Sequence, residues 1–417
     1  MYLVHSVVKK TIQIIALAMF VVSFAGCATA IKTSATANAS LQTQSPAPAP
    51  AQSISFKAVW VQNTLTEKNS GFRKVNRFSP IYDSRENKVI LANSLEGLST
   101  YNLFYTLTPT VENYDRKNAW SKKFAHGFEA PGLVNKGQLF IGGLNGNFYA
   151  INVKDGSVAW SFDTGAEIVA EPTLANGYIY FMNAANQLFA LDMSSGKQLW
   201  VYNRQDTNSL ITIRGGSKPS VVGNLVYVGF SDGSLVALNA QTGTPQWETQ
   251  LNKNTRFKDI DSSPTFSGDN LYINSYDDFL YCLNRTNGTV VWKIKSGGIS
   301  SPLVIGDRLI YTTSDSGIIA ANKSNGQIIW TYKNVSGIAT DVLSYKGLVV
   351  FGESQGKIKA LDLLTGELKA GFDPGRGIMT KPTLIEDDSS FLFVSGEGNL
   401  YQVQLTQDSP NKINFIR

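Results

Sequence analysis

The stretch SLVALNAQTGTPQW (234–247) decides the fold. An apolar strand ends on Asn239, Gly243 follows four residues later, and Trp247 four residues after that. The Asn side chain can accept from backbone N–H groups two residues on and so start a turn. The Gly can take the positive φ that a tight hairpin demands. The Trp then falls on the next strand, where a large flat side chain can fill the seam between neighbouring sheets.

Working outward, the Asn/Asp-x3-Gly-x3-Trp pattern recurs at Asn152/Gly156/Trp160, Asp192/Gly196/Trp200, Asn284/Gly288/Trp292 and Asn322/Gly326/Trp330. A sixth copy, Asp362/Gly366/Ala370, has lost its Trp. Spacing inside the pattern is constant, while successive Trp residues lie 40, 47, 45 and 38 positions apart. Upstream of each copy stands a proline, an apolar strand, a turn and another strand, as in SKPSVVGNLVYVGFSDG (217–233). The prolines are Pro80, Pro131, Pro172, Pro219, Pro264, Pro302 and Pro382, and Asp341 fills the same slot in the seventh unit. That makes eight units of about four short strands, over 363 residues from 55 to 417, or about 45 each.

The two ends fit one another. The last unit has Pro382 and the strand NLYQVQL (399–405) but no Gly-x3-Trp after it. The first strand, SFKAVWVQN (55–63), has Trp60 and no repeat before it. The fold expected is therefore all-β: an eight-bladed β-propeller of four-stranded antiparallel blades, closed by the N-terminal strand, which removes open sheet edges. Seven blades, two separate propellers and a two-sheet sandwich are the competitors. A sandwich needs no equal-length repeat, and no linker-like segment interrupts 55–417. The first blade is irregular: Asn102 to Trp120 is 18 residues where its siblings use 8, which places an insertion within 103–119.

Residues 1–26 read as an export signal: Lys9-Lys10, then the apolar IIALAMFVVSF (14–24), short for a transmembrane helix. Small residues precede Cys27 in FAGC (24–27). Residues 28–54 are Ala, Thr, Ser, Gln and Pro with one charge, Lys32, and read as a tether averaging roughly 30 Å end to end. The alternative is an ordinary secretory signal cut near Ala28–Ala30 with Cys27 incidental. Formal charge is +5, and without Lys9 and Lys10 it is +3, with no basic run, so nucleic-acid binding has little electrostatic support.

Small residues directly before a cysteine resemble the bacterial lipobox, in which that cysteine is diacylated and becomes the mature N-terminus. Phe24 departs from the usual Leu three positions before the cysteine. The resemblance implies lipidation at Cys27, and Ala28 after it implies the outer membrane. The repeat itself resembles the quinoprotein-type (PQQ-like) propeller repeat. Two branches carry it: quinone-dependent dehydrogenases and the BamB family of outer-membrane assembly lipoproteins. Lipobox, tether, length and eight uninterrupted blades look like the BamB family. SLITIRGGSKP (209–219) and RFKDIDSSP (256–264) resemble the family's adjacent loops that contact the periplasmic domains of the barrel-inserting protein BamA. Carried over by position, this implies Ile211, Ile213 and Arg214 as contacts with Asp259 and Asp261 beside them. Ile stands where Leu is more usual, and Gly216 where Glu is more usual. It also implies other assembly-machinery lipoproteins and nascent β-barrel proteins as partners, and a place at the periplasmic face of the outer membrane.

The residues by themselves agree in part. Trp200 to Pro219 is 19 residues against 12 from Trp160 to Pro172, so that loop projects. Exposed Ile beside Arg suits a small hot spot, and the two Asp could neutralise Arg214 or receive a partner's cation. Equally, Ile211 and Ile213 could be a strand's inward face with Arg214 solvated. Enzymatic chemistry finds few candidates. The quinone-dependent enzymes commonly use adjacent cysteines, whereas Cys282 stands alone where sibling repeats have Ala150, Ala190 and Ala237, and reads as a small buried thiol. His126 is the one histidine outside the leader, so no multi-histidine metal site or His-based triad can be assembled. Asp277-Asp278 and Glu386-Asp387-Asp388 read as turn residues. The expectation is a scaffold that uses no cofactor or metal and is not an enzyme. A quinone (PQQ)-dependent periplasmic dehydrogenase and a generic envelope-binding propeller are the alternatives.

Overall fold

Eight four-stranded antiparallel sheets follow one another along the chain in the computed structural model. It describes residues 53–64, 77–93, 97–102, 118–204, 216–254, 258–298, 300–315, 317–385 and 390–407. The leader, most of the tether, the core of the 103–119 insertion and Glu386-Asp387-Asp388 lie outside the described residues. The first seven blades occupy 81–122, 133–163, 173–203, 220–250, 265–295, 303–332 and 343–372. The eighth is composite: 383–407 supplies three strands, and Ile54–Asn63 pairs antiparallel with Asn399–Gln407 as the fourth. The expected clasp is therefore present, and the fold is an eight-bladed β-propeller.

Each blade buries its middle strands on both faces, because a neighbouring blade covers each. Tyr178–Met182 and Gln187–Asp192 are almost wholly buried, whereas the outer strand Gln198–Asn203 is partly exposed. Every slot proline immediately precedes or closely flanks an inner strand, where its missing N–H costs no ladder bond. The inner strands are also stitched to one another. Ser220 Oγ donates to the Pro264 carbonyl at 2.8 Å, and Thr383 Oγ1 to the Pro80 carbonyl at 2.6 Å, the latter joining the last blade to the first.

The repeat turn behaves as its chemistry dictates. Asn239 Oδ1 accepts from Gln241 N at 2.9 Å, and Gly243 N donates back to the Asn239 carbonyl at 2.8 Å with φ +71° at the glycine. The Trp crosses to the next blade. Trp200 Nε1 donates to the Ala240 carbonyl at 3.0 Å, and its ring lies so close to Gly243 that a Cβ there would meet it at 2.7 Å. The same pair of contacts joins Trp120 to Val153 and Gly156, Trp160 to Met193 and Gly196, Trp247 to Arg285 and Gly288, Trp292 to Ser324 and Gly326, and Trp330 to Leu363 and Gly366. The glycine is thus required twice, by its turn and by its neighbour's indole.

The small residue opposite each Trp is set by the same crowding. Ala150, Ala190, Ala237 and Ala320 face their tryptophans across the sheet, and Cys282 faces Trp292. Burial pushes the Cys282 thiol up to about 12, so it is inert packing. Where the sixth copy lacks its Trp, Ala370 belongs to a cluster with Phe56 and Phe391, and Ile54 and Phe372 pack against it. The clasp strand fills the space that the indole would take.

Candidate docking face at the mouth of the central channel

Strand alternation sorts the loops onto two faces. Blade-to-blade connections and the turns between second and third strands share one face; the Asn/Asp-x3-Gly turns occupy the other. The two segments singled out from sequence are successive connections, from third to fourth and from fourth to fifth blade, so they are neighbours on the first face.

Ile211, Ile213 and Arg214 lie outside the described residues. The connection's ends are described. Ser217 is buried, and its Oγ donates to the Ser262 carbonyl at 2.9 Å, which ties this connection to the next. In that next connection Ile260 is buried in the core shared by the fourth and fifth blades, with its N–H on the Phe230 carbonyl at 3.3 Å. Asp259 is fully buried, which takes it off the surface where a direct contact was expected. Asp261, two residues on, is half-buried and faces the channel.

A cavity of about 300 Å³ opens at this channel mouth. Its charged lining is Arg77, Glu129, Glu171, Lys218, Asp261 and Asp341. Arg77 pairs with Glu129 at 3.4 Å, and Lys218 forms an ion pair with Glu171. Asp341 is held above the usual carboxylate range by burial, against the pull of the nearby Lys381 ammonium. Asp261 is pushed up to about 7, first by burial and then by the charge of Asp259. The slot-proline pattern carried an unused signal for this ring: Glu171, Lys218 and Lys381 each stand immediately before a blade proline. Asp277 and Asp278 sit in a turn of the same face, accepting from the Tyr281 hydroxyl at 2.5 Å and the Ser314 hydroxyl at 2.8 Å.

The Asp261 shift has a stability consequence. The folded chain holds a proton there up to about 7, whereas an ordinary Asp releases it near 3.8. The folded state therefore binds more protons between those values, and stability falls as pH rises through that window. Asp261→Asn should unfold at a higher temperature than the parent chain above pH 7, with the gain shrinking towards pH 4. Melting curves across that range check it; equal midpoints at pH 8 would refute the assignment.

The lining does not fit an anionic quinone. Four carboxylates face two cations across a small cavity, and Cys282, the one cysteine among the described residues, is buried in a sheet. Among the described residues no three His, Cys, Asp or Glu side chains are grouped to hold a metal ion. His126 is exposed in a turn with φ 64°.

Comparison with known proteins finds both BamB proteins and quinoprotein alcohol dehydrogenases. A family model described as outer membrane protein assembly factor BamB matches residues 109–332 and 260–414. The outer membrane protein assembly factor BamB of Shewanella oneidensis is 29% identical over 167 residues, 36% of this chain and 42% of that protein. The chain thus matches less than half the length of this relative. Quinoprotein alcohol dehydrogenase PedH of Pseudomonas putida is 30% identical over 122 residues, 27% of this chain and 20% of that enzyme. Among solved structures, BamB from Moraxella catarrhalis superposes with a TM-score of 0.68 at 20% identity, covering 84% of this chain and 99% of that one.

Proposed function

The chain belongs to the family of the outer membrane protein assembly factor BamB, and on that footing we propose that it is a non-enzymatic scaffold that docks on BamA and assists the insertion of β-barrel proteins. A lipidated Cys27 holds it to the periplasmic face of the outer membrane. Residues 1–26 are the signal, 27–54 the tether and 55–417 the working disc. Other lipoproteins of the assembly machinery and nascent barrel proteins are its further partners.

The observation that carries this reading is the pairing of two successive connections, tied through Ser217 and Ser262, beside a channel mouth with surplus acid. Ile211, Ile213 and Arg214 from one connection make the contact. Asp261 from the other meets a cationic group of the partner, whose charge draws off the proton that Asp261 otherwise holds up to about 7, with the buried Asp259 behind it adding negative potential rather than touching the partner. Electrostatic matching of this kind fixes orientation and speeds encounter. The acid-lined mouth and sealed thiol favour a scaffold over a quinone-dependent dehydrogenase.

Capture from membranes tests it. The intact chain should recover BamA, and Ile213→Ala/Arg214→Ala should weaken recovery by roughly a hundredfold, as loss of a paired hot spot does. Equal recovery would move the site elsewhere, and no recovery with the intact chain would remove the docking function.

A further inference from the structure

Two neighbouring arms of the repeat differ from their siblings in charge. Residues 284–296, the turn and outer strand of the fifth blade, carry Arg285, Lys293 and Lys295. Residues 322–334, the same arm of the sixth blade, carry Lys323 and Lys333. Neither arm holds an Asp or Glu. The equivalent arms elsewhere do: Asp155 and Asp163 in the second blade, Asp192 in the third, Glu248 in the fourth, and Asp362, Glu367 and Asp373 in the seventh. The same two arms carry paired β-branched residues where they meet solvent. The two residues before the Trp are Val290-Val291 and Ile328-Ile329, between 41 and 55% exposed. Siblings have Val158-Ala159, Gln198-Leu199, Pro245-Gln246 and Leu368-Lys369 in that slot.

Each arm's strand is the outermost of its sheet, so these side chains stand on the rim of the disc. Trp292 joins the two arms. Its Nε1 donates to the Ser324 carbonyl at 3.1 Å, and its ring lies 2.9 Å from where a Cβ on Gly326 would stand. Val290, Val291, Ile328 and Ile329 thus form one aliphatic arc, and cations bracket it. Arg285 and Lys323 stand in the turns on one side; Lys293, Lys295 and Lys333 follow along the strands on the other. Arg285 meets the exposed Asp269 at 3.5 Å, and Lys323 Nζ donates to the Ser267 hydroxyl at 3.0 Å. Lys293 lies 4.2 Å over the Phe279 ring. Lys293, Lys295 and Lys333 are exposed, with no carboxylate partner among the described residues. Scattered single aliphatics on a surface mean little, but a contiguous strip marks a contact. An aliphatic strip between two rows of cations suits an anionic bilayer interface: the side chains enter the boundary of headgroup and acyl chain, and the cations meet phosphate.

The lipid-bearing segment joins the disc on the same rim. The clasp strand Ile54–Asn63 is the outer strand of the eighth blade and packs beside Leu368–Phe372, the outer strand of the seventh, next along from this arc. A flexible tether averaging roughly 30 Å leaves that rim free to reach the surface that holds Cys27. We propose that the rim of the fifth and sixth blades is a second membrane contact, which lays the edge of the disc against an anionic lipid surface and leaves the connection face free. The position of the membrane rests on the lipidated Cys27 proposed above, but the rim itself is testable without that lipid.

The test uses the mature chain from residue 27 with Cys27→Ser, so that no acyl chain masks the rim. Its partition is measured on vesicles rich in phosphatidylglycerol and on vesicles of phosphatidylcholine alone. The chain should float with the first and not with the second, and less as salt rises. Lys293→Gln/Lys295→Gln/Lys333→Gln should lower partition roughly a hundredfold, since each cation near such a surface contributes about a factor of five. Lys123→Gln/Lys154→Gln/Lys197→Gln removes the same net charge from exposed positions of the first three blades and should bind within about threefold of the parent. Val291→Ser/Ile329→Ser should lower partition about tenfold without changing its salt dependence. All these side chains are exposed, so the variants should melt with the parent. No binding of the parent to phosphatidylglycerol vesicles, or equal loss in the two lysine triples, would overturn the proposal. So would a concentration-dependent dimer abolished by Val291→Ser/Ile329→Ser, which would assign the rim to a second copy of the chain. The mass of the chain recovered from cells reports lipidation at Cys27 separately, so failure of the rim and failure of the anchor are told apart.

Discussion

Trp200→Ala is expected to lower the stability of the folded disc by about 3–5 kcal/mol, the range for truncating a large buried aromatic. The ring is 8% exposed and belongs to the core shared by the third and fourth blades. Its removal opens a cavity at a seam rather than within one sheet, and neither sheet can collapse into it without shifting the ring of blades. The Ala240 carbonyl loses one donor and keeps another, the Tyr180 hydroxyl at 3.0 Å, so the lost packing dominates over the lost hydrogen bond. Gly243→Ala attacks the same contact from the other side. Its new Cβ would sit 2.7 Å from the indole, on a backbone at φ +71° that costs an L residue about 1 kcal/mol or more even in open space. Urea or thermal unfolding checks both. A loss for Trp200→Ala no larger than for Leu199→Ala, an outer-strand side chain 42% exposed, would contradict the seam role.

Much of this seam was legible in the sequence, because its parts are local. Asn239, Gly243 and Trp247 are four residues apart, and turn chemistry, positive φ and a seam-filling indole follow from residue type alone. The acceptor of the indole N–H was not legible. Trp200 bonds to Ala240, forty residues on, and only the angle between blades decides which carbonyl lies there. The clasp was foreseen from an unpartnered Trp60 strand and an incomplete last unit. What replaces the missing indole at Ala370 was not, since Phe56 and Ile54 reach it only after the ring has closed.

The proposed docking site divides in the same way. Its two connections could be read from loop length and from resemblance, and they are indeed neighbours on one face. The split between Asp259 and Asp261 could not, because burial depends on Ile260 anchoring the segment between them. The channel ring was missed altogether: Arg77, Glu171, Lys218 and Asp341 are scattered across the sequence and converge only on the axis.

The second large effect concerns which face of the disc meets the partner. Lys253 lies on the connection face; position 211 belongs by sequence to the neighbouring blade-to-blade segment and lies outside the described residues; Gln241 and Asn287 lie in exposed turns of the opposite face. A docked partner shields one side of a thick disc, so photo-reactive residues at these positions should give an all-or-none contrast rather than a graded one. We therefore look to site-specific photo-crosslinking in intact outer membranes. Positions 211 and 253 should yield adducts with BamA, and positions 241 and 287 none. Adducts from the Gln241 and Asn287 turns at comparable yield, or from no position at all, would contradict docking through the connection face.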